Sequence, residues 1–290
     1  MLQAFGAYKH GYWDFVKDYC DGFDDGFAYK ITGTKNVAAL RALLAPIMLR
    51  RKKADVLTQL PPIRYSEVVV EPTELSPYDK EWLFPDYLIK VGGMRGIDHD
   101  VKEQRQRVED LLKGVTRGDD FLKVIDGMAK GLTTLRRYTG LIKVPQVAEL
   151  IKAELDGGLQ KLVVFAVHQT AIEWLRQLLE DYDAVTLYGN TPALKRDRHI
   201  QKFQTNPRCR VFIGNILAAG TAINLTAASD VLFLEADWVP ANNAQAAMRC
   251  HRIGQTKPVS VRFVTLADSM DQEITRVIRR KTKDLTQVFD

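Results

Sequence analysis

The chain of 290 residues is 46% hydrophobic and 27% charged, with 41 Lys and Arg against 36 Asp and Glu, a net charge of +5 at pH 7. That balance is ordinary for a globular protein and admits a polyanionic partner without specifying one. No apolar run nears the roughly 18 residues of a membrane span, the opening "MLQAFGAYKHGYWDF" lacks a signal-peptide pattern, and Cys20, Cys209 and Cys250 form no CxxC pair. These features predict no membrane, no metal site, no disulfide framework and a cytoplasmic setting.

In chain order, "YWDFVKDY" reads as a helical piece with Tyr12, Trp13 and Phe15 in its core. "TKNVAALRALLAPIMLRRKKADVLTQLPP" reads as a helix, a basic cluster (Arg50, Arg51, Lys52, Lys53) and a Pro-Pro stop. "RYSEVVVEP" is a predicted strand. "VKEQRQRVEDLLKGV" and "KVIDGMAKGLTTLRRYTGLIKVPQVAELIKAEL" have helical spacing, and "VGGMRGIDHD" and "KGVTRGDD" read as exposed connections. "LDGGLQ" marks a boundary.

From Lys161 onward a regular alternation begins. "KLVVFAV", "AVTLY", "RVFIGN", "DVLFLE" and "VSVRFVT" are short β-branched or aromatic runs, separated by the helical "HQTAIEWLRQLLEDY", "TPALKRDRHIQKFQ" and "ANNAQAAMRCHR". Ile172, Leu175, Leu178 and Leu179 share one helical face. Strands alternating with helices predict an α/β fold, a parallel sheet with helices on both faces. Such sheets bind ligands at the carboxyl ends of their strands.

The stretch "QAAMRCHRIGQ" carries Gln245, Arg249 and Arg252 at i, i+4 and i+7. A helix begun near Pro240 and capped by Asn242 or Asn243 would put the three on one face. Ala246, Ala247 and Cys250 would then pack on the sheet. Two guanidiniums on one end of an α/β domain form a multi-donor site for phosphate oxygens. The competing reading is a solvated basic face. Thr191 precedes Pro192, and that pair predicts a helix cap; His168 and Gln169 follow a strand and suit either a cap or a phosphate contact. Trp238 reads as a packing anchor and His251 as structural.

"DWVPANNAQAAMRCHRIGQTKPVSVRFVTLADSMDQEI" resembles the last block of the Swi/Snf-type ATPases, a branch of the superfamily-two helicases. Asp237, Trp238, Pro240, Gln245, Arg249, His251, Arg252, Ile253, Gly254 and Gln255 fit its pattern. "LYGNTPALKRDRHIQKFQ", with Gly189, Thr191, Arg196 and Phe203, resembles the G-x-T…R…F-Q block. "GNILAAGTAINLT" resembles the block joining nucleotide cleft to DNA groove, with Ala219 and Ala222 where glycines are usual and Asn215-Ile216 where Ser-Thr is common. "MLRRKKADVLTQLPP" resembles the basic segment between lobes, and "LRRYTGLIKVPQVAELI" is similar to the distal branch that includes annealing helicases and phage relatives. The resemblance covers nearly the whole chain, weakest from Pro72 to Leu132.

The resemblance implies a RecA-like lobe over 158–266, preceded by a mainly helical region. Residues 1–60 would be the tail of a first lobe with the basic segment, 61–157 a helical linker or protrusion, and 267–290 a brace helix. It implies arginine fingers at Arg249 and Arg252, an ATP cleft around Gln245, Gly220, Asn224 and Gln255, and DNA contacts from His168, Gln169, Gly189, Asn190, Thr191, Asn215, Arg50, Arg51 and Lys52. The sequence has no G-x-x-x-x-G-K-[ST] loop and no Asp-Glu dipeptide, so ATP and Mg²⁺ would be held mainly by a first lobe in cis or trans. The expected function is the second motor lobe of a double-stranded-DNA translocase, of phage or bacterial source. The alternative is a non-catalytic DNA-binding or partner-binding module.

Overall fold

The computed structural model describes residues 6–24, 29–48, 57, 59–71, 129–219, 223–267, 269, 271–272, 275 and 278. The basic cluster 50–53, Gly220, most of the helical region 61–157 and most of the brace 267–290 lie outside the described residues.

Residues 162–266 fold as the alternation predicts. Strands β4 (Leu162–Ala166), β5 (Val185–Leu187), β6 (Val211–Asn215), β7 (Asp230–Phe233) and β8 (Val259–Leu266) are joined by helices α4 (Gln169–Leu178), α5 (Ala193–Thr205), α6 (Ile216–Ala219) and α7 (Pro240–Ala247). An earlier strand, β3 (Ile63–Val70), completes one six-stranded sheet of order β3-β8-β7-β4-β6-β5. Every pairing in it is parallel. The predicted "RYSEVVVEP" strand is thus an edge of the same sheet, although it lies within the span assigned to a helical linker.

Both faces are covered. Leu162, Val164 and Ala166 of β4 point into a core with α4 and the long helix α3 (Ala129–Asp156), which contributes Leu141, Val144, Val147, Ile151 and Leu155. Val163 and Phe165 point the other way, into a core with Phe203 of α5, Ala218 and Ala219 of α6, and Ala246, Ala247 and Cys250. The strict alternation along one strand is what divides the two cores. Each large aliphatic or aromatic side chain so buried contributes about 1.5–3 kcal/mol. α3 runs through Pro145, and Gln146 beside it accepts the backbone N–H of Glu71 at 3.1 Å, tying the end of β3 to the helix.

The N-terminal part departs from a purely helical expectation. Helix α1 (Tyr12–Tyr19) leads into an antiparallel pair, β1 (Cys20–Asp24) and β2 (Tyr29–Thr34), and then α2 (Val37–Leu44). Tyr12 and Trp13 are 66% and 57% exposed, which corrects their assignment to a core. α1 buries Val16 instead.

Candidate functional site

The arginine segment is built differently from the helix its spacing predicts. α7 ends at Ala247, and Arg249 and Arg252 follow it in tight turns, with Arg249 N–H on Ala246 O at 3.0 Å and Cys250 N–H on Ala247 O at 3.2 Å. The cap is Val239, with Pro240 as first helical residue. Asn242 and Asn243 sit inside the helix and serve the turn before it: Asn243 bonds both backbone groups of Asp237 at 2.8 Å, and Asn242 donates to the Asp237 carboxylate at 3.1 Å. Asp237 also accepts the Val239 N–H at 2.7 Å. These side chains brace the turn that leads into the helix, and no side chain caps its first turn.

Four ties fix the arginine loop. Arg252 donates to the Ile223 carbonyl at 2.9 Å, and Leu225 N–H donates to Arg249 O at 3.0 Å. Gln255, buried, reaches the carbonyls of Ala228 (2.8 Å) and Cys250 (3.1 Å) and accepts Lys257 N–H at 3.0 Å and Thr256 N–H at 3.1 Å. His251 Nε2 donates to the Pro61 carbonyl at 2.7 Å. Gly254, at φ +99°, makes the turn that a side chain would resist. Burial, and secondarily the charge of Arg252, pulls the Arg249 guanidinium below its ordinary value. Two cations are therefore held near each other on a braced backbone, an arrangement that an anion relieves. Gln245 and Asn224 are exposed beside them.

A second feature lies along the same edge. Gln169, Gly189, Asn190 and Asn215, four of the expected DNA contacts, line one open groove of about 530 Å³ with Arg196 and Leu217. They come from the segments after β4, β5 and β6, which the parallel topology brings side by side. Thr191 does not cap α5; the cap is Pro192, and Thr191 Oγ1 accepts Tyr188 N–H at 2.9 Å, closing the turn that presents Gly189 and Asn190. Asn215 is heavily used: its amide donates to Val167 O at 2.7 Å, and Oδ1 accepts Leu217 N–H (3.1 Å) and Ala218 N–H (3.2 Å), starting α6. Ala218 and Ala219, 8% and 0% exposed, pack into the core.

His168 precedes α4 but makes no side-chain cap. Its ring donates from Nδ1 to Glu235 Oε1 at 2.6 Å, while Glu235 Oε2 accepts the N–H groups of Val167 (2.9 Å) and His168 (2.8 Å). Burial would raise the Glu235 carboxyl, but the His168 contacts outweigh it and hold it below the usual carboxylate range. Trp238 packs under the Arg136 guanidinium, 5.4 Å from its centroid, and Arg136 donates to the Ala236 carbonyl.

Residues 143–254 match the model of the helicase conserved C-terminal domain. The DNA annealing helicase and endonuclease ZRANB3 of Bos taurus is 27% identical over 98% of this chain and 25% of its own length. The SWI/SNF-related matrix-associated actin-dependent regulator of chromatin subfamily A-like protein 1 of Drosophila melanogaster is 28% identical over 99% of this chain and 35% of its own. The solved Sulfolobus solfataricus SWI2/SNF2 ATPase core in complex with dsDNA superposes with a TM-score of 0.54 at 23% identity, over 87% of this chain and 52% of that one. Residues 143–254 are thus a helicase conserved C-terminal domain, and the chain is similar in sequence and fold to the C-terminal lobes of Swi/Snf-type superfamily-two helicases.

The chain spans only a quarter to about a third of the length of these two curated relatives. Both are animal proteins, and they lend no support to a phage or bacterial source. Among the described residues, no helix is long and apolar enough to cross a membrane. Glu235 is the residue that sequence reasoning missed. Its one signal was an acid directly after the apolar run "DVLFL", just past the carboxyl end of a largely buried strand.

Proposed function

We propose that the chain is the C-terminal motor lobe of an ATP-dependent double-stranded-DNA translocase. In this reading Arg249 and Arg252 meet the phosphates of ATP·Mg²⁺ held by a first RecA-like lobe in cis or trans. The observation that carries it is the braced pair of guanidiniums: burial and the neighbouring charge of Arg252 make the Arg249 cation one that an anion relieves, and their backbone is pinned by Ile223, Leu225 and Gln255. Charge developing on the transferring phosphoryl group is what such donors stabilise, by about 10³–10⁵ in rate where measured. The exposed Gln245 and Asn224 would border the cleft, and Gln255 would organise it from behind.

The groove is read as the track for the DNA backbone. Gln169, the Gly189–Asn190 turn and Asn215 offer neutral donors, and Arg196 adds a charge. Phosphate contacts of this kind position a duplex without reading its sequence. Cleft opening and closing would then move this groove relative to the first lobe.

The test is steady-state ATP hydrolysis with and without duplex DNA, on the chain alone and joined to or mixed with a first lobe. Activity should need both lobes and DNA, and Arg252→Ala should lower it by about 10³ or more. Hydrolysis by the chain alone would overturn the half-site reading. Associated lobes that bind duplex but stay inactive would favour the binding module.

A further inference from the structure

Four charged side chains outside the arginine loop meet in the interior. Arg136 and Lys143 of α3, Glu235 after β7 and Asp271 after β8 line one small enclosed cavity beneath Phe263 and Val264. Lys143 is 1% exposed; its ammonium donates to Asp271 Oδ2 at 2.5 Å and to the Val264 carbonyl at 3.2 Å. Asp271 also accepts Leu266 N–H at 3.3 Å and Thr139 Oγ1–H at 3.4 Å. One Arg136 N–H goes to the Ala236 carbonyl, and its charge also faces Glu235 and Asp271. The cavity thus holds two cations and two carboxylates in balance.

Glu235 faces that cavity with its back to the groove wall. Its oxygens hold Val167 and His168, and the Val167 carbonyl is held in turn by the groove residue Asn215. It cannot retreat toward α3: a Cβ on Gly140 would stand 2.3 Å from Oε1, so helix and carboxylate already touch.

We propose that Asp271 is a positioning residue for the groove. By satisfying Lys143, it leaves Glu235 free to fasten the turn after β4. A buried ammonium without a counter-charge is strongly unfavourable. With Asp271 neutralised, Lys143 turns to the other carboxylate on the cavity. Glu235 then loosens its hold on Val167 and His168, and the turn that seats Asn215 and Gln169 slackens. The Lys143–Asp271 pair is in this way coupled to the sheet edge, about 100 residues before Asp271 in sequence.

The experiment is amide hydrogen exchange on the full chain for wild type, Asp271→Asn, Lys143→Met and the double variant. Val167 and His168 report the turn; Phe212 and Ile213, central in β6, report global opening. Asp271→Asn should speed exchange at Val167 and His168 on the order of tenfold beyond any change at Phe212 and Ile213, and the double variant should return it to near the wild-type rate. Exchange that rises equally at all four amides, or fails to recover in the double variant, overturns the proposal. The consequence for DNA rests on the function proposed above and is read separately. Duplex affinity measured by fluorescence anisotropy should fall several-fold in Asp271→Asn and recover in the double variant. A turn that loosens and recovers while affinity stays constant would keep the positioning role and remove the groove from the DNA track.

Discussion

Gly140 shows how closely one residue is bound to its surroundings. It lies within α3, where alanine would ordinarily stabilise a helix by roughly 1 kcal/mol. Here a methyl would press into the Glu235 carboxylate at 2.3 Å. Gly140→Ala is therefore expected to destabilise the lobe by about 1–3 kcal/mol, against the propensity trend. A urea titration decides it: a midpoint above wild type would mean that Glu235 has room to move. The same residue explains a limit of sequence reading. Glu235, Gly140 and Lys143 are ordinary letters in their own segments, and their meaning comes only from the crossing of α3 over the ends of β4 and β7. His168, by contrast, was singled out for its place after a strand; its partner could not be.

At the scale of elements, the strands were legible because fully buried parallel strands demand unbroken apolar runs, and "KLVVFAV" and "RVFIGN" leave little else to read. The end of α7 was not. Spacing places Gln245, Arg249 and Arg252 on one face of an unbroken helix, but the loop 223–225 takes the backbone and guanidinium of the arginine segment for itself and stops the helix at Ala247. Tertiary bonds overrode periodicity at the place where the proposed chemistry sits. The end of α5 offers a cleaner case. Lys161 gathers three carbonyls there, those of Phe203, Asn206 (2.7 Å) and Cys209 (2.9 Å), with its ammonium 4.9 Å from the Phe203 ring centre. A cation at a helix C-terminus answers both the unpaired carbonyls and the dipole. Lys161→Met should cost roughly 1.5–3 kcal/mol in thermal or chemical unfolding, since it strips a charged donor from buried acceptors. A loss below a few tenths of a kcal/mol would show that water replaces it.

For the whole molecule, the sheet is closed by its most distant partners. β3 enters at the edge, and among the described residues it pairs with β8 alone, with Ile63 opposite Val259 and Val70 opposite Leu266. The two ends of the described lobe are thereby stitched together, with His251 on Pro61 as a further stitch. Removing residues before 71 should leave a five-stranded sheet that folds with reduced stability. Ending the chain before β8 should be far worse, because β3 loses its strand partner and β7 loses one of its two. Solubility and far-ultraviolet circular dichroism of the two truncations would rank them; equal behaviour would show that the edge pairing contributes little.

That pairing also sets a timetable for the newborn chain. At about 5–20 residues per second, a ribosome takes roughly 10–40 s to travel from the end of β3 to the end of β8. Throughout that interval "IRYSEVVV", rich in β-formers, has been made and its strand partner β8 has not. Arg64 and Glu67, which put a charge of each sign into it, are the residues placed to keep one waiting strand from pairing with another on a neighbouring ribosome.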